Sequence, residues 1–202
     1  MRISAVVFDL GGVLFDYHPE IRRKKFAKLA GFGEEEVERR LFHSGFSTSC
    51  DCGKVSARDT FVQGNRLLAS RMTQQAFEDA WLSAFQPNAD VFACAQGLKG
   101  SFAMAILSDN SVFVRDGLNK IYSANLQLFR LQIFSCEVGV TKPNPKMFAT
   151  VATLLDRDPQ EILIIDDNQQ NTLVADTMGF NTHHFQSAES LAHTLGQLKS
   201  KN

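Results

Sequence analysis

Several signals that would mark a specialised class of protein are missing from this 202-residue chain. No charge excess is present: 21 Lys and Arg stand against 22 Asp and Glu, for a net charge of −1 and a pI near 6.5. That balance leaves no electrostatic footprint for nucleic acid or for an anionic membrane surface. No apolar stretch approaches the length of a membrane span, and the run within MRISAVVFDLGG is too short for the central region of a signal peptide. A cytoplasmic protein is expected. Cysteine is sparse, with Cys50, Cys52, Cys94 and Cys136 in a chain far longer than a disulfide scaffold, so free thiols are expected. Neither Cys50-Asp51-Cys52 nor His183-His184 has a second close Cys/His pair, which argues against a soft-metal site. No internal repeat or low-complexity segment is found. The expected partners are small molecules or proteins, with no nucleic acid and no membrane.

What is present is a core-forming composition, 44% hydrophobic, organised around SAVVFDLGGVLFD at residues 4–16. Ala5-Val6-Val7-Phe8 is a short apolar, partly β-branched run of the kind that forms a central parallel strand covered on both faces. Asp9 then falls at the carboxyl end of that strand, the edge of an open α/β sheet where ligands bind. Gly11 and Gly12 follow, allowing a tight turn and close approach of the backbone to a ligand. A carboxylate in that position serves as nucleophile, metal ligand or hydrogen-bond partner of a helix N-terminus.

Residues 20–85 have a different character, with charged, helix-periodic segments and no convincing strand, and read as an insertion. Helices are expected at about 20–30, closed by Gly31, and at about 34–43, with Glu35/Arg39 and Glu36/Arg40 at ion-pair spacing. HSGFSTSCDCG reads as a loop ending at Gly53. Ser56 and Asp59 resemble a capping box for a helix over about 57–71, and a fourth helix spans about 74–84. Arg22, Arg23, Lys24 and Lys25 read as a solvated face rather than an anion site. Phe77, Trp81 and Phe85, at i,i+4 spacing, read as packing rather than a ligand platform. The core is also the expected place for most of the 17 Phe, and a monomer or a homodimer is open.

From residue 88 strands and helices alternate. Helices at 88–98, from 111, at 146–155, 169–178 and 188–198 separate strands at 102–107, 131–135, 161–165 and 181–185. This alternation predicts an α/β fold with a doubly wound parallel sheet. Asp9, Ser108, Lys142 and the pair Asp166-Asp167 then lie at or just after the carboxyl ends of four strands. All those ends share one edge. Carboxylates meeting there repel unless a hard cation joins them, and Mg²⁺ takes a few carboxylate oxygens together with waters and substrate phosphate. A hydroxyl from Ser108 and an ammonium from Lys142 would complete a phosphate clamp, leaving Asp9 to attack phosphorus. Asn171, one helical turn beyond the acidic pair, is a candidate to orient it, with an exposed helix position as the alternative.

VVFDLGGVL, AILSDN, GVTKPNPKMF and ILIIDDNQQN, in this order and strand context, resemble the motifs of the haloacid dehalogenase-like (HAD) hydrolases. The resemblance covers residues 1–15 and 88–200. It implies a Rossmann-like catalytic core over 1–15 and 88–202, with residues 16–87 as a small all-helical cap that moves over the site. It implies Asp9 as nucleophile, Ser108 and Lys142 as phosphate-binding groups, and Asp109 and Asn110 beside them at the substrate. Asp9, Asp166, Asp167 and the Gly11 backbone carbonyl would hold Mg²⁺, with Asp167 the more direct ligand of the pair. The cap stretch Gly53-Lys54-Val55-Ser56 and the loop before it are implied as substrate contacts.

Two departures from the family pattern stand out. Gly11 occupies the place where family phosphatases carry an acid–base aspartate, a contribution of about 10² to 10⁴-fold. The sequence resembles the sugar-phosphate phosphatases that begin DLGN or DLGG and remain hydrolases. Asp16 and His18 are candidate substitutes. Asp109 replaces a common Asn and would oppose phosphate unless it points away. The expected activity is a Mg²⁺-dependent phosphomonoesterase acting on a small phosphorylated metabolite, a sugar phosphate or nucleotide. The alternatives are a weak or inactive HAD-fold binding module and a metal-independent haloacid dehalogenase, for which the Asp166-Asp167 pair is superfluous. A receiver domain is excluded because its acidic pair lies near the start of the chain.

Overall fold

The computed structural model describes residues 2–201. The first strand, β1 (Ala5–Phe8), is followed by two short strands, β2 (Phe15–Tyr17) and β3 (Phe85–Pro87), which pair antiparallel as a separate ribbon. β4 (Ala103–Ser108), β5 (Leu131–Phe134), β6 (Ile162–Asp166) and β7 (Asn181–His184) join β1 in one sheet of order β5-β4-β1-β6-β7. Every pairing in that sheet is parallel. The α/β architecture expected from the alternating pattern is therefore present, with the reversal of strand order at β1. Phe8 is in register with Ile106 on one side and Ile165 on the other, which brings Asp9, Ser108 and Asp166 to one edge.

Side chains alternate across this sheet with the two-residue period of a strand. Val6, Phe8, Met104, Ile106, Leu163 and Ile165 enter one apolar cluster. Ala5, Val7, Ala105, Leu107, Ile162 and Ile164 enter the other, against Met147, Phe148 and Val151. Burial on both faces is why these strands read as continuous apolar runs rather than alternating ones.

Between β2 and β3 lie α1 (Pro19–Ala30), α2 (Glu34–Val37), a π-helical turn Glu38–Phe42, α3 (Phe46–Asp51), α4 (Ala57–Leu67) and α5 (Gln74–Leu82). Phe26, Phe77 and Trp81 form an aromatic centre, with ring centroids 5.1 Å apart for Phe26–Phe77 and 5.5 Å for Phe77–Trp81. The sheet's helices are α6 (Ala89–Gln96), α7 (Val112–Ile121), α8 (Ser123–Leu126), α9 (Ser135–Val138), α10 (Pro145–Leu155), α11 (Gln169–Thr177) and α12 (Ala188–Lys201). Phe113 of α7 meets Phe77 at 5.7 Å and Trp81 at 5.9 Å, so the insertion packs onto the helix that follows β4.

The insertion departs from the sequence-based expectation in four places. The β2–β3 ribbon has no signature in the sequence, because three residues are too few to establish a strand period. The stretch HSGFSTSCDCG contains α3, whose Phe46 and Cys50 are buried four residues apart. Helix 34–43 passes into the π-helical turn, and Arg39 bonds Glu36 rather than Glu35, alongside Arg40. Ser56 caps the helix, with the Asp59 N–H donating to Ser56 Oγ at 3.1 Å, but the reciprocal bond of a capping box is not formed, since the Asp59 carboxylate accepts from the Ser56 hydroxyl, and α4 ends at Leu67 rather than at 71. There the Asn65 side chain takes the place of the helix ladder by bonding Met72 and Ser70. Among the described residues no helix is long and apolar enough to cross a membrane, and the four cysteines are free.

Candidate active site

Asp9 is anchored where β1 ends. Its backbone N–H donates to Ile165 O at 2.8 Å, tying it to β6, and its Oδ1 accepts the Leu10 N–H at 2.7 Å. Lys142, on the loop before α10, reaches across the sheet edge. Its Nζ lies 2.9 Å from Asp9 Oδ1 and 2.6 Å from Asp166 Oδ2, and donates to Leu107 O at 3.2 Å. The other oxygen of Asp166 accepts from the Asn168 N–H and from Asn171 Nδ2, both at 2.9 Å. Asn171 is therefore an orienting partner of the acidic pair, and the alternative of an exposed helix position is set aside.

Asp166 is 1% exposed, with both oxygens bonded to protein, whereas Asp167 is exposed. Ligand oxygens of Asp9, Asp166 and Asp167 all lie within 4.8 Å of one another. Gly12 makes that spacing possible. It has φ +87°, and a Cβ there would clash with the Asp167 carboxylate, which would have to shift. At Gly11 the situation is the reverse: a Cβ would meet Phe85 at 3.5 Å, an ordinary contact, so packing does not demand glycine.

The cluster is electrostatically stressed. Burial pushes Asp9 up to about 8, the Lys142 ammonium opposes that, and the Asp166 charge adds to it. Burial alone would lower Lys142, but Asp9, Asp166 and Asp109 together hold its ammonium above the usual lysine range. Asp167 is likewise raised, by burial first and then by Asp166. One ammonium thus serves several carboxylates. A set of hard oxygen donors with an excess of negative charge fits a small divalent cation such as Mg²⁺.

Ser108 is fully buried, and its Oγ accepts from Asn110 Nδ2 at 2.8 Å. Asn110 lines the cavity over the site, between buried Ser108 and the open space. Asp109 is turned onto the backbone: both of its oxygens accept the Lys142 N–H, at 2.9 and 3.1 Å. Its oxygens are engaged with the loop that carries Lys142, while Asp109 still lines the cavity.

The cavity, about 290 Å³, has Asp9, Gly11, Asp167 and Lys142 at its floor residues and Tyr17, Arg22, Phe42, Ser47, Asp51 and Trp81 from the insertion side. Neither Asp16 nor His18 is among its lining residues. Asp16 accepts from Asn88 Nδ2 at 2.9 Å and His18 faces Glu20 at 3.2 Å. Gly53-Lys54-Val55-Ser56 does not line it either. Gly53 instead closes on α9, where a Cβ would stand 2.0 Å from Cys136 O, and Asp51 O accepts from Ser135 Oγ at 2.6 Å. The stretch just before it does contribute, through Ser47 and Asp51 of α3. Arg22, which the charge pattern puts on a solvated face, is instead 8% exposed. Its signal was its position four residues before buried Phe26 on α1. Trp81 is both packed, at 2% exposure, and at the cavity wall.

Comparison with known proteins places this geometry in context. The family model described as haloacid dehalogenase-like hydrolase matches residues 3–175. A D-ribitol-5-phosphate phosphatase from Bacteroides thetaiotaomicron is 26% identical over 198 residues, covering 89% of this chain and 90% of that protein. The structure of a HAD-like family hydrolase from Porphyromonas gingivalis superposes with a TM-score of 0.84 at 25% identity, covering 100% of both chains. A HAD family enzyme from Bacteroides thetaiotaomicron, crystallised with magnesium and inorganic phosphate, gives a TM-score of 0.79 at 22% identity over 95% of this chain and 98% of that one. With the fold, the ordered motifs and the family model in agreement, the chain belongs to the haloacid dehalogenase-like hydrolases.

Proposed function

We propose that the protein is a Mg²⁺-dependent phosphomonoesterase that acts on a small phosphorylated metabolite of the sugar-phosphate or nucleotide class. The observation that carries this reading is the Lys142 ammonium held between Asp9 and Asp166 in the cavity at the sheet edge. The name of the Bacteroides relative, a D-ribitol-5-phosphate phosphatase, supports the phosphate-ester class, and the magnesium and phosphate complex of the structural relative supports the cation.

Asp9, Asp167 and the Gly11 carbonyl would hold the cation, with Asp166 steadied from behind by Lys142 and Asn171. When bound, the ion supplies positive charge against the carboxylates and the phosphoryl oxygens. Asp9 attacks phosphorus, forming the carboxylate–phosphorus bond as the bond to the leaving oxygen breaks. Lys142 and Asn110 stabilise the charge spread over the phosphoryl oxygens, with buried Ser108 holding the Asn110 amide through its Oγ. The departing alkoxide takes its proton from solvent, since position 11 offers no side chain. Water then attacks the aspartyl-phosphate, releasing inorganic phosphate and restoring Asp9. Residues 16–87 act as the cap, 1–15 and 88–202 as the core, and the cytoplasm is the compartment we assign.

The test is phosphate release from 4-nitrophenyl phosphate with and without Mg²⁺. Release that needs Mg²⁺ and drops at least 10³-fold in Asp9→Asn is the expected result. Because an aryl leaving group needs little protonation, absence of release at any Mg²⁺ concentration would favour the binding-module reading, to which Gly11 lends weight. Halide release from a 2-haloacid without Mg²⁺ would favour a dehalogenase.

A further inference from the structure

Arg22 is a buried cation that the mechanism above does not use. Its guanidinium stacks on Phe42, with Cζ 4.0 Å from the ring centroid, and lies 5.7 Å from the Trp81 centroid. Stacking leaves its in-plane N–H donors for hydrogen bonds. Nη2 donates to the Tyr17 hydroxyl at 2.7 Å, while Nε is buried and has no acceptor. Among the described residues no carboxylate forms an ion pair with it. A guanidinium on a residue only 8% exposed, without a carboxylate partner and at a cavity wall, is costly unless a ligand completes it.

Asp51 of α3 lines the same cavity and carries the opposite charge. The two groups feel each other, since the Arg22 charge pulls the Asp51 carboxyl down, yet they do not pair directly. Asp51 is held instead at the core, by a backbone hydrogen bond from Ser111 and through the bond from Ser135 to its carbonyl. The insertion wall of the cavity therefore carries a cation with an unfilled donor and, near it, an acceptor.

We propose that Arg22 and Asp51 form the specificity pair for the leaving group and select a polyhydroxylated one, as in a polyol or sugar phosphate. This rests on the phosphate-ester reading of the site and deepens it. A hydroxyl accepts from Arg22 and donates to Asp51. An alkyl chain leaves both groups desolvated and unpaired, which is the strong penalty of a built polar site. A carboxylate suits Arg22 but meets Asp51 and the acidic edge of the sheet, so a second anion is disfavoured. The aromatic wall of Trp81 and Phe85 suits the C–H face of a sugar chain.

Equilibrium binding in the presence of Mg²⁺ tests this without needing turnover, using Asp9→Asn protein and three six-carbon phosphate esters: sorbitol 6-phosphate, 6-phosphogluconate and n-hexyl phosphate. Sorbitol 6-phosphate is expected to bind at least tenfold tighter than n-hexyl phosphate and no weaker than 6-phosphogluconate. Arg22→Gln and the near-isosteric Asp51→Asn, each checked for cooperative melting, are each expected to reduce the sorbitol-to-hexyl ratio about tenfold. Equal binding of the three esters, no binding of any, a ratio untouched by both variants, or an Arg22-dependent preference for 6-phosphogluconate would each overturn the pair. Selective binding by a chain that releases no phosphate would remove the hydrolase reading alone, and hydrolysis of 4-nitrophenyl phosphate with a flat binding ratio would remove the specificity pair alone.

Discussion

The Asp109 carboxylate grips the backbone N–H of Lys142 with both oxygens, at 2.9 and 3.1 Å. One acidic side chain on the strand-4 edge thus fixes the loop whose ammonium serves Asp9 and Asp166. The residue that looked from sequence like a liability for phosphate binding is a support for the lysine. Asp109→Ala leaves a half-buried N–H without its acceptor and frees the loop, at a cost of about 1–3 kcal/mol. The expected outcome is a lower melting temperature together with at least tenfold slower phosphate release. Asp109→Asn, which keeps an acceptor oxygen, should recover most of the lost stability, as thermal melting of the three proteins would show.

Lys142 is 7% exposed and stands between two carboxylates. Removing it in Lys142→Ala leaves those charges buried without compensation, a loss of about 3–5 kcal/mol. Added Mg²⁺ should return part of that stability to the variant, and by more than it adds to the wild type. Chemical denaturation with and without Mg²⁺ measures both differences, and equal responses of the two proteins would argue against a shared cation and ammonium site.

Gly12 has a positive φ and no room for a Cβ beside Asp167. Gly12→Ala must displace the Asp167 carboxylate and strain the backbone, at about 1–3 kcal/mol. Because the displaced group is the exposed member of the acidic cluster, the Mg²⁺ concentration for half-maximal activity should rise at least tenfold. A Mg²⁺ titration of phosphate release checks it.

Burial chiefly, with the Asp109 charge, pushes Asp51 up to about 7, against the pull of Arg22. The folded chain therefore retains a proton that the unfolded chain gives up near pH 4. Between these values the native state binds more protons, so Asp51 makes stability fall as pH rises, and its penalty is complete above about pH 7. Asp51→Asn should flatten that slope and be more stable, relative to wild type, at pH 8 than at pH 4 by about 1–2 kcal/mol. Denaturation midpoints at the two pH values provide the comparison, and parallel profiles would contradict the assignment.

The catalytic edge was legible in the sequence because its parts are local. Each apolar run of four to six residues forms a strand buried on both faces, and the polar residue that ends the run is carried by covalent geometry to the sheet edge. Asp9, Ser108 and Asp166 therefore converge once the strands pair in parallel, and Asn171 follows because a helix of known period starts beside it. Lys142 was accessible from the same logic together with its Pro-flanked loop.

The opposite wall of the cavity was decided by tertiary packing alone. Tyr17, Arg22, Phe42, Asp51 and Trp81 come from a ribbon strand, helices and a π-helical turn of the insertion, and nothing in their spacing joins them. Charge placed Arg22 on a solvated face, and only the docking of α1 against the aromatic centre turned it inward. Asp51 lay in a stretch too rich in small residues to declare itself a helix, and its role depends on contacts with Ser111 and Ser135, sixty and eighty-four positions away. The sequence by itself thus determined the sheet, its edge and the acidic cluster, through strand periodicity and the residues that terminate each strand. The tertiary structure decided which side chains face that edge, because burial and electrostatic pairing between distant helices have no local sequence pattern.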